Sequence, residues 1–299
     1  GALVGHEGIA SGIENSSWFV TTTAGRYVLT LFERMTAQEL PFHLGLLHHL
    51  AAHGIPCPDP VADRDGVVLE TLMGKPAALC SRLDGQPEMQ PGPAHCAQLG
   101  ETIARMHLAA ADYPGRTPNP RGLSWWQAVA PQLGVQLAPE QAALLADEIE
   151  HQRAFAAGGR LASLPASAVH ADLFRDNVFF DARTRSPRLA GIIDFWFAGV
   201  DAWLFDLAVA ANDWCTDENE GFDTRRLAAL LDAYRRVRPL QPAEHDAWQT
   251  MLRAAALRFW VSRLYDLHCP RPAEIVVPKD PARFERILRL RRAEAPALH

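Results

Sequence analysis

The sequence predicts an α+β fold of two unequal lobes: a small antiparallel β-sheet carrying one helix, then a larger, mainly helical lobe. Two patterns predict it. β-branched and aromatic residues separated by turn signals dominate the chain up to Ser81, and beyond that point apolar residues recur mostly at helical spacing. Size agrees, since 299 residues at 48% hydrophobic content supply the core that two lobes need. The boundary is placed between Leu83 and Asp84, giving lobes of residues 1–83 and 84–299.

Trp18-Phe-Val-Thr-Thr-Thr and Arg26-Tyr-Val-Leu-Thr-Leu-Phe, joined through Ala24-Gly25, read as a hairpin with Tyr27, Leu29 and Leu31 on one face. From Gln38 to Ala52, Leu40, Leu44, Leu47 and Ala51 keep helical spacing; Pro41 is tolerated in a first turn and Gly54 marks the stop. Two further strands are expected at Val67–Thr71 and Ala77–Ser81, split by Gly74-Lys-Pro. In the second lobe, Leu99, Ile103, Met106 and Ala110 mark one helix. Ala142, Leu145 and Ile149 mark another, ending at Gly158-Gly159, and the Pro/Gly-rich stretch Tyr113–Gly122 links the two. Strand-like runs return at Asn177–Asp181 and Leu189–Asp194. Helical spacing resumes at Leu227, Leu230, Leu231 and Tyr234, then at Trp248, Leu252 and Phe259.

Charge and cysteine usage exclude several classes. A net charge of −6 and a pI near 6.1 do not suit a protein that grips a phosphate backbone, so no nucleic-acid partner is expected. The five cysteines stand singly, with no spacing that suggests a zinc site or a disulfide framework, which implies a reducing, cytoplasmic setting. No apolar run approaches the roughly 20 residues of a membrane span, so no membrane association is expected, and no signal peptide is legible at the start. A first residue of glycine and a pattern already strand-like by Ile9 suggest a native segment upstream of Gly1.

The chemistry is concentrated in Val169-His-Ala-Asp-Leu-Phe-Arg-Asp-Asn, where His170, Asp172 and Asn177 have the spacing H-x-D-x-x-x-x-N of a kinase catalytic loop. Such a loop needs a carboxylate that accepts or orients an acceptor hydroxyl, and an amide oxygen five residues on that reaches a magnesium ion on the phosphates. Asp172 and His170 are therefore the catalytic candidates, with His170 bracing Asp172. Seventeen residues after Asn177, the apolar run Leu189-Ala-Gly-Ile-Ile delivers Asp194 to a strand end, where a second metal ligand belongs. Asp206 reads as a helix-capping or loop-bracing carboxylate, and Trp196, Trp203 and Trp214 as core or pocket wall.

These strings resemble the aminoglycoside phosphotransferase and choline kinase-like group of the protein-kinase-like superfamily, and within it the homoserine kinases of that fold. The narrower resemblance rests on Gly8-Ile-Ala-Ser-Gly-Ile-Glu-Asn-Ser-Ser-Trp-Phe-Val, Gly25-Arg-Tyr-Val-Leu-Thr-Leu-Phe-Glu, Leu40-Pro-Phe, Gly54-Ile-Pro-Cys-Pro, Val169-His-Ala-Asp-Leu-Phe and Leu257-Arg-Phe-Trp-Val-Ser-Arg-Leu-Tyr-Asp, nearly the whole chain. It implies ATP and Mg2+ as cofactors, Asp172 as base and Asn177 and Asp194 as magnesium ligands. It further implies phosphates under Glu14, Asn15, Ser16 and Ser17, and adenine held at a hinge formed by Cys80, Ser81, Arg82 and Leu83. Two departures stand out: no G-x-G-x-x-G is present, and Thr30 occupies the strand position that usually supplies the nucleotide lysine. The only lysines are Lys75 and Lys279, so a small-lobe phosphate cation must be Lys75 or an arginine such as Arg26 or Arg34. Glu39 sits where kinases place the lysine's partner.

The implied acceptor is the small molecule L-homoserine, whose carboxylate, ammonium and hydroxyl call for a planar donor and an acidic or carbonyl acceptor. Arg258 and Arg263 are the candidate substrate-binding arginines, with Trp196 as a wall of the pocket. The same loop would also serve a kinase of another small alcohol, such as an aminoglycoside or choline, or of protein serine. Thr30 leaves room for a nucleotide-binding pseudokinase. The sequence allows a monomer or a homodimer.

Overall fold

Alternation of apolar and polar residues builds the first sheet. The computed structural model describes residues 1–9, 15–183, 186–269 and 279–293. Strands β1 (Leu3–Gly8), β2 (Asn15–Thr22) and β3 (Gly25–Phe32) run antiparallel, and the expected hairpin turns at Thr23-Ala24 with Thr22 facing Gly25. Helix α1 (Leu40–Ala52) follows, then β4 (Leu69–Leu72) and β5 (Lys75–Ser81), which complete a five-stranded sheet in the order β1-β2-β3-β5-β4. β1 is a fully exposed edge whose sequence, Leu-Val-Gly-His-Glu-Gly, carries no clear alternation; its pairing to β2 defines it. α1 starts at Leu40 rather than Gln38, because Glu39 folds back and accepts hydrogen bonds from Thr36 N and Oγ1, both at 2.8 Å. Phe32, Leu40, Leu44, Ala78 and Cys80 close a small core between sheet and helix.

The strand β6 (Gln86–Pro87) leads into the helical lobe, which opens with α2 (Pro93–Ala110), α3 (Leu123–Gly134) and α4 (Pro139–Ala157). The short strands β7 (Ala166–Val169), β8 (Val178–Phe180), β9 (Leu189–Ile192) and β10 (Gly199–Ala202) come next. β10 pairs with β7, and β8 lies between β6 and β9. Four helices follow: α5 (Trp203–Trp214), α6 (Thr224–Val237), α7 (Pro242–His268) and α8 (Ala282–Ala293). Every residue of α5 from Leu204 to Trp214 is buried, so this helix is the axis of the lobe, and Asp206 lies on it. α2 presses close against α6 at Gly100, where an added Cβ would stand 2.1 Å from the Leu230 carbonyl oxygen. α8 docks through Phe284, Ile287 and Leu288, with the Phe284 ring 5.1 Å from Phe259 of α7 and 5.8 Å from Phe174. Among the described residues no helix is long and apolar enough to cross a membrane.

Candidate active site

β7 ends at Val169 and feeds a loop that α5 holds from below. The Asp206 carboxylate, fully buried, accepts the backbone N–H of His170 at 2.8 Å and of Ala171 at 2.6 Å. Those two bonds hold Ala171 at a φ of 64°, a left-handed conformation that costs a non-glycine residue about 1 kcal/mol. The His170 ring is saturated: Nδ1 accepts from Asp172 N at 3.1 Å, and Nε2 donates to Ile193 O at 2.9 Å. Burial pushes its pKa down, and with both nitrogens engaged the ring braces the Asp172 backbone. Asp172 itself is only 13% exposed at its side chain, and burial raises its pKa, opposed first by the Arg258 guanidinium, whose Nη2 lies 3.7 Å from Oδ1.

The second loop is tied to the first by hydrogen bonds. Ile193 N donates to Asn177 O at 2.9 Å while Ile193 O receives His170 Nε2, so Asp194, the next residue, is delivered beside Asp172 and Asn177. Asn177 donates through its amide nitrogen to Asp172 O at 2.8 Å and reaches Asp172 Oδ2 at 3.4 Å, which fixes the orientation of its amide group. Asp194 sits at φ 67°, ψ 58°, a sharp turn that ends the apolar run and aims the chain back toward the small lobe. Asn177 and Asp194 therefore offer an amide and a carboxylate oxygen from two loops pinned to one another, a donor set that suits a hard divalent cation.

Of the small-lobe residues predicted to meet nucleotide, Glu14 lies outside the described residues. Asn15, Ser16 and Ser17 open β2: Asn15 Oδ1 accepts from Glu33 N at 3.4 Å, Ser16 Oγ donates to Glu33 Oε1 at 2.7 Å, and Ser17 Oγ lies 3.3 Å from Thr30 Oγ1. Thr30 is buried between Ser17 and Ala78 in the sheet register. Lys75 is ion-paired with Glu33, whose carboxyl is held below its ordinary pKa first by that lysine and then by Ser16; Arg26 pairs with Asp84. At the strand end, burial pushes the Cys80 thiol up to about 12, leaving it an inert wall. The amides of Ser81 and Arg82 are engaged by Asp59 O at 2.8 Å and Arg26 O at 3.1 Å, and Leu83 packs on Gly191. The Arg82 guanidinium lies 3.8 Å from the Phe19 ring centre.

Glu39 is committed to Thr36, and Thr30 brings no cation, so the lysine–glutamate link of kinases is absent here. Another residue of α1 connects that helix to the loop that carries Asp194. His43, buried and kept neutral chiefly by its burial, donates through Nδ1 to Phe195 O at 2.9 Å, one residue beyond Asp194. Trp196 packs edge-on against Phe32 at 4.7 Å and joins the small-lobe core, so its ring links the lobes. Sequence reading missed His43, because nothing in α1 marks one histidine among three.

The structure separates the two arginines predicted to bind the acceptor. Arg258 lies beside Asp172 and over the Phe197 and Phe259 rings at 4.8 and 3.9 Å. Arg263, five residues on, donates to Asp280 O at 2.8 Å and lies over Phe284 at 4.5 Å, which ties it to the C-terminal helix. A third arginine joins the Phe197 ring: Arg121, from the link before α3, stands 5.5 Å from its centre and 4.2 Å from that of Trp125. Asp201, whose pKa burial raises, accepts from Asn119 at 2.8 Å.

No serine or cysteine nucleophile faces Asp172 among these contacts. The loops offer an oriented carboxylate and hard oxygen donors beneath a β-sheet lobe, the equipment for moving a phosphoryl group onto a hydroxyl. Fold and site together define a protein-kinase-like phosphotransferase. The sequence profile of the phosphotransferase enzyme family matches residues 5–240, and the chain belongs to that family. It is 53% identical to a homoserine kinase of Burkholderia multivorans over 100% of this chain and 91% of the relative, and 52% identical to one of Paraburkholderia phymatum over 99% and 93%. Similar solved structures include amicoumacin kinase hAmiN in complex with AMP-PNP and Ca2+, with a TM-score of 0.68, 16% identity and coverage of 97% and 89%. Choline kinase LicA from Streptococcus pneumoniae is another, with a TM-score of 0.66, 12% identity and coverage of 98% and 95%. At those identities the likeness is one of fold.

Proposed function

We propose that this chain is an ATP-dependent homoserine kinase, a cytoplasmic enzyme of threonine biosynthesis that forms O-phospho-L-homoserine. The observation that carries the reading is identity of 53% and 52%, spread over essentially the whole chain, to proteins named homoserine kinase. The geometry supports it, since Asp172, Asn177 and Asp194 are all present on interlocked loops. In this reading residues 1–83 bind nucleotide, with the hinge at Cys80–Leu83, and residues 84–299 carry the chemistry and the acceptor.

Asn177 and Asp194 would hold Mg2+, which supplies charge neutralisation to the phosphates when bound. Asp172 orients the acceptor hydroxyl and takes its proton as the new O–P bond forms and the bond from the γ-phosphorus to the ADP oxygen breaks. His170 keeps Asp172 in place, and the Arg258 guanidinium opposes the rise in its pKa that burial causes. An ADP-release assay with Mg-ATP against L-homoserine, choline, an aminoglycoside and a serine peptide tests the assignment. Turnover confined to L-homoserine, and abolished in Asp172→Ala with nucleotide binding retained, is expected. Turnover only on another acceptor would refute the substrate, and silence on all four would leave a nucleotide-binding pseudokinase.

A further inference from the structure

A buried carboxylate that divides itself between two backbone amides needs its own plane fixed. For Asp206 the His107 ring of α2 does this: Nε2 stands 3.3 Å from Oδ2, the same oxygen that accepts His170 N at 2.8 Å. Both side chains are fully buried. The ring is itself held, for it stacks on Trp203 at 5.6 Å with 12° between the planes, and the Trp203 indole donates to Ser167 Oγ of β7 at 2.7 Å. Packing therefore settles where the imidazole lies. It must also carry its proton on the nitrogen that faces Asp206.

The hydrogen bonds behind His107 make that choice. Nδ1 lies 2.9 Å from the hydroxyl oxygen of Tyr234 on α6, and Arg238 Nη1 lies 3.3 Å from the same oxygen. Arg238 is in turn gripped by Glu244: Nη1 donates to Oε1 at 2.7 Å and Nη2 to Oε2 at 2.6 Å, and Oε2 also accepts Gln241 N at 2.8 Å at the start of α7. A guanidinium can only donate, so the Tyr234 oxygen accepts from Arg238. The acceptor left for the tyrosine proton, among the described residues, is His107 Nδ1. The ring's own proton then stands on Nε2 and points at Asp206. In the opposite tautomer the Nε2 lone pair would face a carboxylate oxygen, and the Tyr234 hydroxyl would have a donor on either side and nothing to donate to. From Arg238 through Tyr234 and His107 to Asp206, each group donates to the next, and each bond strengthens its neighbour.

We propose that Tyr234 is a positioning residue for phosphoryl transfer: its hydroxyl, oriented by Arg238, selects the Nε2–H tautomer of His107 and so fixes the Asp206 carboxylate that holds the catalytic loop. Tyr234 is fully buried and acts on the loop through His107 and Asp206 alone. The inference rests on the phosphotransferase reading and is indifferent to which alcohol is the acceptor. Tyr234→Phe removes the hydroxyl and keeps the ring. In a 15N-histidine NMR spectrum the wild-type His107 signal, assigned as the one lost in His107→Gln, should show its proton on Nε2, and in Tyr234→Phe the Nδ1–H form should appear beside it. With the acceptor that the wild type turns over, kcat of Tyr234→Phe should fall about 3- to 10-fold, with the KM for Mg-ATP and for the acceptor within twofold of wild type. Glutamine at 107 can place its amide nitrogen near the position of Nε2 and has no tautomer to choose. Adding Tyr234→Phe to His107→Gln should therefore leave kcat within twofold of His107→Gln alone. An unchanged kcat in Tyr234→Phe, a wild-type ring protonated on Nδ1, or equal losses from Tyr234→Phe in both backgrounds would each overturn the proposal while leaving the phosphotransferase reading intact. A wild type that turns over no acceptor would remove that reading and this inference with it.

Discussion

Asp206 never needs to meet a substrate to matter. Its two carboxylate oxygens are divided between the N–H groups of His170 and Ala171, and the His107 ring reaches Oδ2 at 3.3 Å. An asparagine has one acceptor oxygen and a donor in place of the other, so Asp206→Asn loses one amide bond and sets an N–H against an N–H. The strained φ of Ala171 is then no longer over-determined. We expect kcat to fall about 10- to 100-fold with the KM for Mg-ATP changed little; an unaltered kcat would show that the loop holds itself. At this scale much of the site was legible, because His170, Asp172 and Asn177 stand within eight consecutive residues and their spacing is their geometry. The choice between Arg258 and Arg263 was not. Five residues along a helix turn a side chain by about 140°, so the two could not share one face, but only the packing of α7 shows which one meets Asp172.

Among the elements, α1 couples the lobes by a route that its sequence did not reveal. Helical spacing located the helix and left its two ends uncertain by a residue or two, as Glu39 at the cap shows. The contact that matters spans 152 residues, His43 to Phe195, and no local pattern encodes a partner that distant. For the same reason β1 and the short strand β10, defined by what they pair with, left no sequence signal, and α5, buried all round, shows no stripe. If His43 holds Asp194 by anchoring the next residue, His43→Ala should lower kcat and raise the Mg2+ concentration needed for half-maximal rate, leaving the KM for the acceptor near its wild-type value. His43→Asn, whose amide nitrogen can stand near the place of Nδ1, should recover part of both. Loss of stability without any change in Mg2+ dependence would make His43 a packing residue only. The cost of an unpartnered Phe195 carbonyl is about 1–3 kcal/mol in either case.

Across the whole molecule, the catalytic loop is also held from behind by the C-terminal helix. Asp213, at the end of α5, accepts from Arg175 N at 3.0 Å and Arg175 Nε at 3.1 Å within the loop, and from Arg283 Nη1 of α8 at 3.0 Å. Arg283 also reaches Glu220, so one partly buried set of charges joins the loop, α5 and α8. Burial alone would raise the Asp213 pKa, but Arg175 and then Arg283 outweigh it and hold the pKa below the ordinary value. The sign of the linkage follows. A carboxyl whose folded pKa is depressed adds stability above its unfolded pKa of about 3.9, and that stability is lost as pH falls through the lower, folded value. Asp213→Asn leaves two partly exposed guanidiniums short of a counter-charge on a buried carboxylate site, which costs less than the roughly 3–5 kcal/mol of a fully buried pair. Urea unfolding at pH 7 should therefore show a gap between wild type and Asp213→Asn, and the gap should narrow steadily as pH is lowered through 4. Activity at pH 7 should fall at lower urea in the variant than in the wild type, because Arg175 is bonded to the same carboxylate. A stability gap independent of pH would mean that Asp213 acts by shape and hydrogen bonding, and that its charge does not join the C-terminal helix to the catalytic loop.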